Sequence, residues 1–211
     1  MENNLFEVDD IEVKMPNQVL SDNVAKIAVI GVGGGGCNMI NHMISEGSHK
    51  IDLIAANTDL QVLHISKAPK KIQLGLKLTK GLGAGMKPEV GRDAAVESYD
   101  EIKTSLDGAD IVFIAAGLGG GTGTGAAAII ANAAKDIGAL TVSVVTKPFT
   151  WEGKKRAGLA NLGLEELKKV SDSIIVIPND RLLEIIDENI GMKDAFKIID
   201  NILFQAVNGM S

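Results

Sequence analysis

From Ala25 onward the chain alternates between short runs that are apolar at nearly every position and longer stretches whose apolar residues recur at helical spacing. The runs at 26–32 (KIAVIGV), 52–57 (DLIAAN), 72–74, 110–116 (DIVFIAA), 141–146 (TVSVVT) and 173–177 (SIIVI) read as strands. Between them the helical period predicts helices over 37–46, from a cap at Thr58 or Asp59 through 65, from Pro88 to about 106, over 123–136 and over 152–170. Pro88 suits a first helical turn, where its missing N–H would have no intrahelical partner in any case. A short helix near Leu182 and a last one over about 193–208 close the chain. Strands apolar on both faces and separated by helices stack into a parallel sheet covered on both sides. The expectation is an α/β fold of three layers, a Rossmann-like parallel sheet with helices on both faces, taking its ligands at the carboxyl ends of the strands.

Glycine sharpens that expectation. Of the 24 glycines, 15 fall in three windows, 31–36, 75–85 and 117–125. Fixing glycine costs backbone entropy, so such clustering signals positive φ angles or a backbone that must come close to another group. Each window follows a predicted strand, which puts all three on one rim of the sheet.

The 211 residues, 45% hydrophobic and 23% charged, suit one generous domain. No apolar run approaches the ~18 residues of a bilayer span, and Met1 is followed by acidic and polar sequence rather than a basic leader. Membrane insertion and secretion are therefore not expected, and a cytoplasmic setting is. Cys37 is the single cysteine, so it forms no internal disulfide, and no neighbouring Cys or His completes a structural zinc site. Seven aromatic residues and a net charge of -6 offer little for stacking on bases or neutralising a phosphate backbone, which argues against nucleic acid. The charge is uneven. Residues 1–23 hold Glu2, Glu7, Asp9, Asp10, Glu12 and Asp22 against Lys14 alone, an acidic extension expected to be disordered and solubilising. Residues 24–190 are then the ligand-binding domain and 191–211 a final helix.

Residues 31–38 read GVGGGGCN. A strand, a bare turn and a helix in that order bring backbone N–H groups to an anion, and the helix N-terminus adds about half a positive charge. Gly31, Gly33 and Gly36 satisfy G-x-G-x-x-G, which keeps a dinucleotide open. The acid such a site wants at the end of the second strand is replaced by Asn57, with Asp59 two residues later. The window 117–125 reads GLGGGTGTG, again between an apolar strand and a helix. Two anion-binding turns on one rim suit a chain of phosphates better than a single pyrophosphate, and Thr122 and Thr124 add hydroxyl donors that glycine lacks. No G-x-x-x-x-G-K-[ST] occurs, so backbone dipoles, a metal or an arginine must balance the charge.

Together, GVGGGGCN at 31–38, NTD at 57–59, GLGAG at 81–85, GGGTGTG at 119–125 and IPND at 177–180 resemble the FtsZ family, the bacterial homologues of tubulin, over about residues 24–211. The resemblance implies a tubulin-type GTPase domain that binds GTP or GDP, with Mg2+ accompanying GTP. It implies head-to-tail protofilaments of the chain with copies of itself, at the division septum. It places Gly33, Gly34, Gly35, Gly36, Cys37 and Asn38 of the first window and Gly117, Gly120, Gly121, Thr122, Gly123 and Thr124 of the second at the nucleotide. Of these, 34–38 and 121–123 would face the α- and β-phosphates with Asn57 nearby, and Gly83, Ala84 and Gly85 would lie against the γ-phosphate. Glu152 and Arg156, in PFTWEGKKR, would reach the ribose and phosphates, although the same pair four residues apart would stabilise a helix by about 0.2–0.5 kcal/mol without any ligand. Asn179 and Asp200 would read guanine, whose N1–H and 2-amino group present paired donors that adenine lacks. Phe196 would stack on the base, or else belong to the apolar stripe of Ile199, Leu203 and Val207. One departure from the family pattern is His42 in Asn41-His42-Met43, where an arginine is usual and reaches further.

None of the three glycine windows holds an acid or a histidine to orient and deprotonate water beside a γ-phosphate. The resemblance implies that two acids arrive on a loop of the next subunit, and that this loop and a second domain would follow Ser211. The expectation is thus a nucleotide-binding half that holds GTP or GDP and barely hydrolyses it, with no catalytic residues of its own. Membrane tethers and regulators would engage through parts beyond Ser211. The apolar residues Ala195, Phe196, Ile198, Ile199, Ile202, Leu203 and Val207 would favour self-association. The competing expectations are an NAD-binding oxidoreductase of Rossmann type and a module that keeps the fold without the nucleotide.

Overall fold

The computed structural model describes residues 25–47 and 51–183, together with 201, 204 and 205. Six strands, β1 (Ile27–Val32), β2 (Asp52–Asn57), β3 (Lys70–Gln73), β4 (Ile111–Gly117), β5 (Leu140–Lys147) and β6 (Ser173–Pro178), form one sheet in the order β3-β2-β1-β4-β5-β6. Every neighbouring pair is parallel. The apolar runs are continuous because both faces are covered. In β1, Ala28, Ile30 and Val32 face one layer while Val29, one residue out of step, faces the other.

The first layer holds α4 (Pro88–Glu97), α5 (Tyr99–Leu106), α6 (Thr122–Asp136) and α7 (Lys154–Val170). The second holds α1 (Gly33–Ser45) and α2 (Leu60–Ile65), with Met39, Ile40 and Met43 of α1 fully buried against Phe113 and Val144. Burying side chains of this size stabilises the fold by about 1.5–3 kcal/mol each. The buried face of α6 is largely alanine, with Ala126, Ala127, Ala131, Ala133 and Ala134 at 0% exposure. Small residues let α4 pack so closely that a Cβ at Gly125 would fall 2.7 Å from the Arg92 amide nitrogen. The N-terminal end of α6 is therefore clamped, and it is this end that faces the strand tips.

Several boundaries differ from expectation for physical reasons. Helix α1 starts at Gly33 rather than Cys37, so the four consecutive glycines are its first turn. The long helix expected from Pro88 breaks at Ser98, whose Oγ accepts the Gly75 amide at 3.0 Å and donates to the Gln73 carbonyl at 3.4 Å. A one-turn helix α3 (Leu76–Thr79) stands in the second glycine window, unforeseen because Leu76 and Leu78 are exposed and carry no amphipathic signal. Glu152 belongs to a separate 3-10 turn, Thr150–Glu152, and Gly153 at φ +100° redirects the chain into α7. After β6 comes α8 (Asn179–Leu183), and Asn201, Phe204 and Gln205 are helical as well. The acidic extension 1–23 and nearly all of the expected helix 193–208 lie outside the described residues. Among the described residues no helix is long and apolar enough to cross a membrane.

Candidate functional site

The strand order reverses direction between β1 and β4, and in open parallel sheets that switch point opens a crevice at the carboxyl ends. A cleft of about 550 Å³ lies there, and the segment after every strand contributes to its wall. Gly34, Gly35 and Asn38 come from the start of α1, Asn57 and Asp59 from the end of β2, and Gly83, Ala84 and Gly85 from the loop beyond β3. Gly117, Gly120, Gly121, Thr122 and Gly123 come from the turn between β4 and α6. Glu152 and Arg156 follow β5, and Asn179 follows β6.

The two glycine turns touch. A Cβ at Gly33 would stand 2.9 Å from the Gly123 amide nitrogen, and one at Gly35 3.3 Å from that of Gly117. Side chains there would wedge the turns apart, so glycine is what brings two helix N-termini to one point. Neither α1 nor α6 has a side-chain cap or an acidic residue in its first turn. Their leading N–H groups have no intrahelical acceptor and add two partial positive charges at the cleft. That arrangement attracts an anion with more than one charged group.

The third loop is built onto the second turn. A Cβ at Gly121 would come within 3.0 Å of the Ala84 methyl, and Gly83 holds φ +82°, a conformation glycine adopts without strain. The Gly83 amide donates to the Thr58 carbonyl at 3.1 Å, and Asp59 and Leu82 form an isolated bridge. Asn57, Thr58 and Asp59 thus tie the three loops together. Asn57 Nδ2 also reaches Cys37 Sγ at 3.8 Å, and Asn57 Oδ1 accepts the Asp59 amide at 3.1 Å.

Not every predicted residue reaches the cleft. Gly33, Gly36, Cys37 and Thr124 do not line it among the described residues. Gly36 is packed under β4, where a Cβ would press on the Ala115 carbonyl. Cys37 is buried, and burial pushes its thiol up to about 11 against the smaller opposing effect of the Asn57 bond. The Thr124 hydroxyl accepts the Gly119 amide at 2.9 Å, so its work is to shape the turn. His42 stands off the cleft, edge-on to Phe204 with ring centres 6.0 Å apart. Phe196 and Asp200 lie outside the described residues. Unforeseen wall residues include Val62, Leu82, Leu118, Thr146 and Pro148; apart from their position after strands, nothing in their residue types marks them.

Glu152 and Arg156 pair with each other at the wall of the cleft, across the break between the 3-10 turn and α7. Arg156 donates to Glu152 Oε2 at 2.7 Å, while Glu152 Oε1 accepts the Phe149 amide at 2.9 Å, and both line the cleft. Asn179 is 5% exposed, and its Oδ1 is buried without a hydrogen-bond partner among the described residues. A buried acceptor of this kind is costly unless something supplies a donor, and this one stands at the wall of the cleft.

A profile of the Tubulin/FtsZ family, GTPase domain, matches residues 26–187. The chain belongs to that family. Among solved structures, an FtsZ dimer from M. jannaschii, described as empty, is 51% identical with a TM-score of 0.85, the match covering 90% of this chain and 55% of that one. A point mutant of FtsZ from M. jannaschii is 52% identical at a TM-score of 0.84, covering 88% and 56%. CetZ2 from Haloferax volcanii, described as a GTPγS-bound protofilament, is 24% identical at a TM-score of 0.78, covering 88% and 57%, and shows likeness of fold alone. The chain spans little more than half the length of these relatives. Tubulin/FtsZ membership removes the ground for an NAD-binding oxidoreductase, which the glycine fingerprint by itself had left open.

Proposed function

We propose that the chain is the guanine-nucleotide-binding half of a self-assembling, cytoplasmic cell-division GTPase that acts at the septum. The observation that carries this reading is the convergence of two uncapped helix N-termini and a third glycine loop on one cleft of about 550 Å³. That volume lies within the range of sites for nucleotide-sized ligands. Gly34, Gly35, Asn38 and Gly120 to Gly123 would hold the α- and β-phosphates, and Gly83 to Gly85 the γ-phosphate. Arg156 would answer the remaining charge. The unpartnered Asn179 acceptor would take a donor from guanine, with Asp200 and Phe196 completing the base site.

Among the described residues no group of three acids, histidines or cysteines is placed to hold a metal. A Mg2+ ion fits here in the way it accompanies nucleotides elsewhere, held chiefly by phosphate oxygens and water with one carboxylate. Among the described residues Asp59 is the lining carboxylate that makes no ion pair. Bound there, the ion would neutralise phosphate charge.

Turnover is a separate matter. The described acids of the wall are Asp59, which caps α2 through the Gln61 and Val62 amides, and Glu152, which is paired with Arg156. With Asp59 given to the metal and Glu152 to Arg156, hydrolysis would be completed by acids of a neighbouring subunit in a head-to-tail filament. Tethers and regulators would bind elsewhere in the whole protein.

Calorimetric titration of the chain with GDP, ADP and NAD, with phosphate release from GTP measured alongside, tests this reading. A charge-assisted bond to the base corresponds to a preference of about tenfold or more for GDP over ADP. NAD should not bind, and phosphate release should stay at background. Absence of GDP binding, or tighter binding of NAD, refutes the nucleotide assignment; rapid phosphate release by the chain alone refutes the shared-site account of hydrolysis.

A further inference from the structure

We propose that Thr58 is a positioning residue that turns the hydroxyl proton of Thr122 into the cleft, as a donor to a phosphate oxygen. The inference rests on the nucleotide reading and adds the direction of one hydrogen bond. Thr58 is 0% exposed, and its Oγ1 lies 2.7 Å from Thr122 Oγ1. Each hydroxyl has one proton to donate and lone pairs to accept with. Among the described residues the Thr58 side chain has no second partner, so its proton has one acceptor, Thr122 Oγ1. The opposite polarity would strand a buried O–H without an acceptor, at a substantial desolvation cost.

Thr122 stands differently. It opens α6, lines the cleft and is only partly buried. Accepting from Thr58 leaves its own proton outside the protein's internal bonds, on the cleft side, beside the uncapped N–H groups of α6. Nothing in the glycine turns offers a hydroxyl donor at this point except Thr122, because Thr124 is turned inward on Gly119. The same residue also holds the third loop, since the Thr58 carbonyl accepts from the Gly83 amide at 3.1 Å and from Thr79 Oγ1 at 3.3 Å. Those are main-chain bonds that a side-chain substitution at Thr58 leaves in place, which separates the two roles.

The test titrates the 211-residue chain with GDP and with guanosine, which carries the base and ribose without phosphate. The variants are Thr58→Val, Thr58→Ser, Thr122→Val and the Thr58→Val/Thr122→Val double. Losing the hydroxyl bond to an anion should weaken GDP binding by about tenfold in Thr122→Val, and Thr58→Val, which leaves that hydroxyl present but unoriented, should show a clear part of the same loss. Guanosine binding should stay within about twofold, and Thr58→Ser, which keeps the donor, should restore GDP binding. The double variant should bind GDP no more weakly than Thr122→Val, because no donor remains to be oriented. Unchanged GDP binding in Thr58→Val, an equal loss for guanosine, or additive losses in the double variant would each overturn the inference. If Thr58→Val does not fold, Thr58→Ala is read the same way. A wild-type chain that fails to bind GDP refutes the nucleotide reading itself, a result distinct from wild-type binding with an indifferent Thr58→Val.

Discussion

Gly34 and Gly36 are two residues apart in one glycine run, yet the structure assigns them opposite responses to a single methyl group. Gly34 is exposed, lines the cleft, and a Cβ built on it meets nothing within 4 Å. It sits in the first turn of α1, where alanine is favoured over glycine by up to about 1 kcal/mol. Gly34→Ala should therefore leave the melting temperature unchanged or raise it by up to roughly 4 °C for a chain of this size. On the proposed nucleotide reading, its methyl group would fill the space through which phosphate reaches the N–H groups, so GDP affinity should fall by about tenfold or more. At Gly36 the added Cβ would lie against the Ala115 carbonyl, 2.6 Å from the Gly31 carbonyl carbon and 2.9 Å from Gly31 Cα. Those atoms belong to β1 and β4 at the middle of the sheet, so no flexible side chain can yield and α1 must lift away. Overpacking of this kind costs about 1–3 kcal/mol, which lowers the melting temperature by roughly 3–10 °C. Thermal unfolding without nucleotide, followed by calorimetric titration with GDP, reads both quantities. A destabilised Gly34→Ala, a Gly36→Ala as stable as wild type, or undiminished GDP binding by Gly34→Ala would show that the run has been divided wrongly.

Two other outcomes follow from groups away from the strand tips. Burial holds the Cys37 thiol at about 11 against an ordinary value of 9.0, so at neutral pH its thiolate is about a hundredfold scarcer than in an open chain; alkylation should be at least that much slower in the native protein than in urea, and equal rates would refute the placement. Asp172 is held below its ordinary value by the Thr141 amide and hydroxyl and by Lys135, and Asp180 likewise by the Thr150 hydroxyl and amide. A depressed carboxylate contributes stability that is complete above the ordinary range near pH 4 and is lost as pH falls toward the folded-state value. The stability gap between wild type and Asp172→Asn in denaturant titrations should thus shrink as pH drops below about 4, and a gap that widens there contradicts the assignment.

The layers of the fold were legible because the strands other than β3, which reads KKIQ, are largely apolar on both faces, a local property that survives without tertiary information. The rim was legible for the same reason: glycine runs directly after strands are local signals. What escaped was set by distance. Ser98 splits a helix because of bonds to Gln73 and Gly75, and no propensity at Ser98 announces them. Thr58 pairs with Thr122 across 64 positions, so its importance could not be weighed from NTD alone. Asp59 caps α2, a role its sequence position suggests, yet it also lines the cleft.

Glycine shows most plainly what sequence can and cannot deliver. A cluster states that backbone must approach something, and it does not state what. Within one turn, Gly120 has open space where a side chain would go, Gly121 leans on Ala84, and Gly123 would strike the carbonyl of Gly117. The residues facing open space leave room for a ligand, and those facing backbone hold the turns together. Both kinds are needed, because an amide can grip an anion only if its own strand and helix cannot retreat. The glycine loops are thus a single packed object in which glycines facing backbone fix the positions of those facing the cleft, and a motif written as letters merges the two.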